Sequence, residues 1–187
     1  MNDKVLAELL KETGVILDGH FLLTSGRHSG RFMQCSQLLQ YPVQTEAVCK
    51  LIAEPFMGMG INTVIGPAMG GIILSYEVAR QLGVRAVYTE QFEGQMVLRR
   101  GFSIEVGEKV LVVEDAVTTG GSVKKVLDIL RKAEANIAGI SVMVDRSDVI
   151  LDFGVPMKAL LEMEIESYSP EDCPLCKALV PLQRPKS

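Results

Sequence analysis

One continuous stretch, residues 110–122, limits what this chain can fold into more than any other. Its first four residues are apolar and three of them are β-branched, which is typical of a buried strand. Two carboxylates, Glu114 and Asp115, follow, and a turn of threonine, glycine and serine then leads into apolar residues at helical spacing. A buried strand that passes through a short turn into a helix is the building unit of α/β folds.

The rest of the chain repeats this alternation of strand and helix patterns. Further strands are predicted at 63–65, 86–88, 140–144 and 158–161. One predicted helix begins at Pro42, and another carries Ile72, Tyr76 and Ala79 on one face and ends at Gly83. Such alternation predicts an α/β protein with a mostly parallel central sheet flanked by helices.

Length, composition and charge limit the class of protein. The 187 residues suffice for one well-buried domain, and 48% apolar but only 5% aromatic residues suit an aliphatic core. A net charge of −4 argues against nucleic acid as a partner, because nucleic-acid-binding proteins favour basic surfaces. No apolar run approaches the ~20 residues of a membrane span, and the amino terminus lacks a secretory signal pattern. We therefore expect a cytoplasmic protein that binds neither nucleic acid nor membranes.

The turn at 118–122 has the chemistry of an anion site. The first N–H groups of a helix have no intrahelical partners, and the helix dipole adds partial positive charge there. Gly120 and Gly121 allow close approach to the backbone, while the neighbouring hydroxyls add donors. The preceding acids, Glu114 and Asp115, can accept hydrogen bonds from sugar hydroxyls or hold a divalent cation. The alternative is an ordinary strand-to-helix turn; neither Walker A nor G-x-G-x-x-G spacing is present.

Two further segments follow predicted strands and should lie at the same edge of the sheet. The first is the glycine-rich turn at 66–71, and the second is the pair Asp145 and Arg146. Ligands of open α/β sheets bind beyond the carboxyl ends of the strands, where both segments would join the 118–122 turn. An arginine can grip a ligand carboxylate through two parallel hydrogen bonds, although each segment alone also fits a plain turn or a surface ion pair.

Residues 114–122 resemble the phosphoribosyl-pyrophosphate (PRPP) signature of type I phosphoribosyltransferases. The resemblance implies that fold, with Glu114 and Asp115 contacting the ribose hydroxyls and stabilising positive charge on the ring during catalysis. It also implies that the turn holds the 5-phosphate. The implied PRPP-binding residues are Glu114, Asp115, Ala116, Val117, Thr118, Thr119, Gly120, Gly121 and Ser122. The implied pyrophosphate loop comprises Ala68, Met69, Gly70 and Gly71, with Gly70 where several family members have lysine.

The amino-terminal third is similar to the hood of orotate phosphoribosyltransferases, one branch of that family. The similarity rests on residues 22–29 and the strands predicted at 21–25 and 31–35, although Thr24 stands where lysine is common. It implies that orotate binds Thr118, Arg146, Phe32 and Met33. Without the resemblance, residues 22–29 would be interpreted as an exposed hairpin turn. The implied single domain has a hood at about 1–40, a core at about 41–165 and a carboxyl-terminal tail at about 166–187.

A long polar stretch at 90–102 is the predicted lid. Arg99 and Arg100 are its candidate basic residues, because Glu90 and Gln91 stand where the orotate branch has consecutive basic residues. Both arginines also suit a solvated hairpin. The family pattern implies a lid that closes over the neighbouring subunit, and hence a homodimer with shared active sites.

The four cysteines fall into two groups. Cys35 and Cys49 lie in apolar surroundings and should be buried thiols, whereas Cys173 and Cys176 form one CxxC pair. A zinc site needs about four ligands, and the two histidines of the chain lie far upstream. We therefore expect mostly free thiols in a reducing cytoplasm, with a structural metal or a redox role as the alternatives.

The implied reaction is transfer of the 5-phosphoribosyl group from PRPP to orotate, which gives orotidine 5-phosphate and pyrophosphate in pyrimidine biosynthesis. Mg²⁺ would be held through PRPP, with no direct ligand from the protein. Two alternatives remain open: a phosphoribosyltransferase for another base, and a regulator that senses PRPP without turnover.

Overall fold

The computed structural model describes residues 3–23 and 25–184. Thr24, residues 1–2 of the expected hood and residues 185–187 of the expected tail lie outside the described residues. The helices are α1 Asp3–Glu12, α2 Pro42–Ala53, α3 Gly70–Leu82, α4 Gly121–Lys132 and α5 Pro174–Lys177. The strands are β1 Ile16–Leu22, β2 His28–Met33, β3 Thr63–Pro67, β4 Arg85–Phe92, β5 Gln95–Leu98, β6 Lys109–Val117, β7 Asn136–Asp145 and β8 Met157–Glu162. Two 3₁₀ helices, Cys35–Gln40 and Glu54–Phe56, flank α2.

The central sheet confirms the predicted architecture. Its six strands lie in the order β5-β4-β3-β6-β7-β8, and all neighbours are parallel except the edge pair β4–β5. β6 lies inside the sheet between β3 and β7, so both of its faces are covered. This position explains its run of consecutive apolar residues.

The core divides into two clusters, one on each face of the sheet. Leu111 and Val113 of β6 belong to the cluster shared with α1, α2 and α3, whereas Val110 and Val112 belong to the cluster shared with α4. Alternate residues of a strand point to opposite faces, so a single strand anchors both clusters. Its carboxyl end is thereby held rigidly in the middle of one sheet edge.

Helix α3 ends as predicted but presents a different face. Gly83 has φ +70° at its carboxyl end, a conformation that glycine adopts without steric cost. Leu74 and Val78 are buried, but Tyr76, predicted on one face with Ile72 and Ala79, is 67% exposed. The prediction for Tyr76 was wrong because α3 buries the side that carries Leu74 and Val78 against α2 and the sheet.

The amino-terminal strands form a separate antiparallel pair with shifted boundaries. β1 begins at Ile16 rather than at residue 21, β2 ends at Met33 rather than at 35, and the turn falls between Leu22 and His28. An irregularity in the pairing between Asp18 and Phe21 breaks the period-two alternation of β1. That break hid the first half of the strand from the sequence pattern.

The carboxyl-terminal segment packs along both strands of this pair. Tyr168 exchanges two backbone hydrogen bonds with His28, of 2.9 and 2.8 Å, and Gln183 bonds to the backbone of His20 and Leu22. The first and last parts of the chain therefore form one structural unit. No helix in the ranges 3–23 and 25–184 has the length and apolar character needed to cross a membrane.

Candidate active site

The site forms where β6 passes into α4. A cavity of about 260 Å³ opens there, lined by Glu114, Ala116, Val117, Thr118, Thr119, Gly120, Gly121, Ser122, Val123 and Lys125. The two acids were expected after the strand, but β6 continues to Val117 and contains both. Pairing with β7 causes this extension, since the ladder runs on to Val117 and Asp145.

The amino terminus of α4 is built to receive an anion. Gly120 precedes it with φ +73°, and among the described residues no side chain caps its free N–H groups. The first five residues of α4 include no acidic residue but do include Lys124 and Lys125, and the helix dipole disfavours such positive charges there in the absence of an anion. This arrangement favours a phosphate-sized ligand over a plain turn.

Glu114 lies on the α4 side of the sheet. It is only 6% exposed yet lines the cavity, and one carboxylate oxygen accepts the N–H of Asp115 at 3.2 Å. Burial, together with the neighbouring charge of Asp115, raises the pKa of Glu114 to about 9. Without a ligand the carboxyl group is therefore protonated at neutral pH. A cation or a set of donors in the cavity would favour its ionised form.

Asp115 points to the other side, against the loop after β3. Its Oδ1 accepts the N–H of Ala116 at 2.7 Å. Burial raises its pKa, while that hydrogen bond and the charge of Arg146 act in the opposite direction. A Cβ added to Gly70 would lie 2.7 Å from the carboxylate carbon of Asp115. A side chain at residue 70 would therefore displace the Asp115 carboxylate from the position that it has here.

In the loop from β3 to α3, the backbone at Gly66 is in close contact with the backbone at Gly71. A Cβ on Gly66 would lie 2.8 Å from the carbonyl carbon of Gly71. The Ala68–Met69 peptide is cis, and Met69 is 82% exposed beside the start of α3. The segment predicted as the pyrophosphate loop therefore lies next to Asp115, at the same sheet edge as the α4 turn.

Arg146 directly follows β7. Its backbone N–H donates to the carbonyl oxygen of Val117 at 2.8 Å, which fixes the position of the residue. Its side chain lines a second cavity of about 560 Å³, bounded also by residues 147–148 and 164–168. In the part of the chain that the structure describes, its buried Nε has no hydrogen-bond partner. A buried unpaired donor on a guanidinium is costly, and a ligand carboxylate would satisfy it.

The other residues predicted to contact orotate lie in different surroundings. Thr118 lines the α4 cavity, whereas Met33 is 5% exposed and belongs to the core cluster. Phe32, its neighbour on β2, packs against Phe21 with ring centroids 5.8 Å apart. Neighbouring residues of a strand face opposite ways, so this conformation does not present Phe32 and Met33 to one flat base together. Their binding role stays a prediction.

The expected lid contains a regular hairpin, β4–β5, on the edge of the sheet. Arg99 lies 3.8 Å from the centre of the Phe92 ring, and Arg100 donates to Glu90 at 3.1 Å. Both arginines contact their own hairpin here, not the α4 cavity. Only a rearrangement of these contacts would bring them to a ligand, and their catalytic role stays a prediction.

Two features of the site were missed from the sequence. Lys125 lines the α4 cavity, although its helical position had suggested a solvated face. Segment 164–168 forms much of the wall beside Arg146, and one cavity of about 380 Å³ joins it to Ser29 and Arg31. The spacing of Lys125, one helical turn after the anion site, was a usable signal; nothing local marked 164–168.

Comparison with known proteins agrees with this geometry. Residues 34–152 match the family described as Phosphoribosyl transferase domain. The orotate phosphoribosyltransferase of Pelotomaculum thermopropionicum is 55% identical over 185 residues, which cover 99% of this chain and 97% of that protein.

Solved structures share the fold. An orotate phosphoribosyltransferase from Aeropyrum pernix has a TM-score of 0.74 at 27% identity, over 84% of this chain and 93% of that one. An adenine phosphoribosyltransferase from Rhodothermus marinus, at 20% identity, has a TM-score of 0.67 over 86% and 99% of the two chains. The fold alone does not select the base, but the full-length sequence match does distinguish the branches. The chain therefore belongs to the phosphoribosyltransferase family, within its orotate phosphoribosyltransferase branch.

Proposed function

We propose that this protein transfers the 5-phosphoribosyl group of PRPP to orotate, forming orotidine 5-phosphate and pyrophosphate for pyrimidine biosynthesis. One observation carries the proposal: an uncapped helix terminus, the buried carboxylate of Glu114, the half-buried carboxylate of Asp115 and the unpaired, buried Nε of Arg146 lie at neighbouring strand ends. These groups match the phosphate, the ribose hydroxyls and the carboxylate of the two substrates.

The residues act by holding and stabilising rather than by covalent chemistry. The 118–122 turn anchors the 5-phosphate, so binding energy far from the reacting carbon aligns it. Glu114 and Asp115 hold the ribose and, when ionised, stabilise the positive charge that develops as pyrophosphate leaves. Arg146 orients orotate by its carboxylate.

Magnesium is part of this proposal. The two carboxyl groups with raised pKa suit a cationic ligand, because a nearby positive charge favours their ionised forms. Mg²⁺ coordinated by PRPP oxygens would supply charge neutralisation for the leaving diphosphate. A cytoplasmic location stays a prediction.

A homodimer is supported by the outer face of α3. Met69, Ile73 and Tyr76 are 82%, 46% and 67% exposed and recur at helical spacing directly beside the pyrophosphate loop. Val43 on α2, which packs against α3, is also apolar and 74% exposed. A second copy of the chain would bury this stripe and place its own residues close to the site, as shared active sites require.

Pyrophosphate release tests the proposal. The purified protein is incubated with PRPP and Mg²⁺ together with orotate, uracil or adenine, and product is measured for each base. Orotate-dependent release supports the assignment. Turnover of adenine alone would favour the alternative acceptor, and PRPP binding without turnover of any base would favour the sensing regulator.

A further inference from the structure

Four side chains from opposite ends of the chain meet beside the hood. They are His20 on β1, His28 on β2, and Cys173 and Cys176 on either side of the start of α5. One potential ligand atom of each lies within 4.8 Å of all the others. Three of the four residues are buried, and Cys176 is partly exposed.

The distances are close to those between atoms that bind one small ion, and a shift of less than about 0.5 Å would bring the two shortest into that range. The Nε2 of His20 lies 3.0 Å from the Nδ1 of His28 and 3.5 Å from the Sγ of Cys173. The Sγ of Cys176 lies 3.2 Å from the Nδ1 of His28 and 3.7 Å from the Nε2 of His20. Zinc bonds of about 2.3 Å to sulfur and about 2.0 Å to nitrogen place tetrahedral ligands roughly 3.3–3.8 Å apart.

A second contact orients one of the histidines. The Nδ1 of His20 lies 2.8 Å from the carbonyl oxygen of Val180, and only a protonated Nδ1 can donate to it. In a neutral His20 the Nε2 atom is then unprotonated, and its lone pair faces the cluster. A carbonyl that fixes the tautomer of a ligand histidine is a regular companion of metal sites.

Hydrogen bonds alone satisfy this cluster poorly. The Nε2 of His20 has one lone pair, yet His28, Cys173 and Cys176 all approach it. At most one of them can donate to it, and thiols are weak donors. A cation would engage all four lone pairs at once.

We propose that His20, His28, Cys173 and Cys176 bind a structural zinc ion in a tetrahedral Cys₂His₂ site. Mixed sulfur and imidazole ligands select zinc over magnesium or calcium, and four protein ligands leave no open position for chemistry. The sequence had suggested free thiols because the histidines lie so far upstream. The β1–β2 hairpin removes that objection by folding both histidines back onto the tail.

The ion would hold the carboxyl-terminal tail against the hood and thereby fix the position of a wall of the substrate site. Close to the cluster, the hydroxyl of Ser29 donates to the carbonyl of Glu166 at 2.7 Å, and Arg27 donates to Ser167 at 2.8 and 2.6 Å. Segment 166–168 is also part of the wall beside Arg146. Loss of zinc should therefore destabilise the fold and weaken orotate binding without removing a group that performs chemistry.

Metal analysis of the intact purified protein tests the proposal. Elemental analysis should find one zinc per chain in the wild type and a clear loss in Cys176→Ser, with Cys49→Ala as the matched control. Cys49 is fully buried, and burial raises the pKa of its thiol to about 12, so it is an unreactive cysteine outside the cluster. We expect Tm of the wild type to fall by about 10 °C after removal of zinc by a chelator and to recover when zinc is added.

Cobalt spectroscopy keeps the proposal testable if Cys176→Ser does not fold. Co²⁺ added to metal-free wild type should give the visible absorption of tetrahedral cobalt and a thiolate charge-transfer band, and zinc should abolish both. Three results would each overturn the proposal: wild type with no bound zinc and no cobalt spectrum, a disulfide between Cys173 and Cys176 in freshly isolated protein, or equal zinc content in Cys176→Ser. Orotate turnover need not be known for any of these measurements, so failure of the proposed function would leave them interpretable.

Discussion

The sheet-edge site, which comprises residues 114–122, the 66–71 loop and Arg146, and the cluster beside the hood both contain buried polar atoms but use them in opposite ways. The centre of the first is contiguous, since residues 114–122 lie on one strand, the turn after it and the start of α4. The second joins His20 to Cys173 across 153 positions. In the sheet-edge site, buried polar groups lack hydrogen-bond partners until substrate binds. In the cluster, the polar atoms of the four side chains contact one another. We infer that the first serves catalysis at the expense of stability, whereas the second stabilises the fold and affects substrate binding only by holding segment 166–168 in place.

The largest effect is expected from substitution of Arg146, which tests whether the sheet-edge site serves catalysis. Arg146→Ala removes a buried charged donor, and we expect kcat/KM for orotate to fall by at least about 30-fold, because losing one partner of such a pair costs about 2–5 kcal/mol. The dissociation constant of PRPP should change little. Steady-state kinetics and PRPP titration of wild type, Arg146→Ala and Arg146→Lys measure both constants. Arg146→Lys should retain only part of the kcat/KM for orotate, because lysine cannot form two parallel hydrogen bonds with a carboxylate. Equal loss for both substrates would contradict the assigned role.

Asp115 should show the next largest effect. Asp115→Asn keeps the shape of the side chain but removes the charge that we propose contacts the ribose. We therefore expect kcat to fall by about 10- to 100-fold, corresponding to about 1.5–3 kcal/mol for a charged hydrogen bond. The exposed Asp128→Asn on α4 is the control and should retain full activity. A fall in Tm that matched the fall in kcat would instead show that Asp115 is structural.

The same contrast explains which parts were predictable from the sequence. Residues 110–122 predicted the strand, the turn and the helix, because local propensity and the buried position of β6 favour the same structure. The pairing of Gly70 with Asp115 and the four-residue cluster could not be predicted, because each depends on contacts between distant segments. Tyr76 was misplaced for a related reason: periodicity alone does not tell which side of α3 meets the sheet.

A pH series on Glu114→Gln tests whether the site reduces stability. An unfolded glutamate releases its proton near 4.5, but folded Glu114 keeps it until about 9, so the folded state binds more protons between these values. Stability of the ligand-free wild type therefore falls as pH rises through this window, by up to about 1.4 kcal/mol per unit. Glu114→Gln lacks this loss and should be more stable by about 1–3 kcal/mol at pH 7–8, with little difference near pH 4.5.

Thermal unfolding at several pH values measures this difference, which amounts to several degrees in Tm for a chain of this size. Glu12→Gln on the exposed end of α1 is the control and should follow the wild type. Glu114→Gln should also lose activity, so one substitution would raise stability and lower turnover. A difference in Tm that did not depend on pH would refute the assigned cause.

The smallest effect is expected at Gly70, where the sheet-edge site does depend on a distant contact. The Cβ of Gly70→Ala would meet the Asp115 carboxylate, which is held by the N–H of Ala116 and must rotate or shift. A displacement of this kind costs about 1 kcal/mol, so we expect kcat/KM for PRPP to fall by roughly fivefold with a small change in Tm. Gly30→Ala is the matched control, because its Cβ would meet nothing closer than 3.7 Å. If Gly70→Ala were as active as Gly30→Ala, Asp115 would tolerate displacement, and its position against the 66–71 loop would not matter for donor binding.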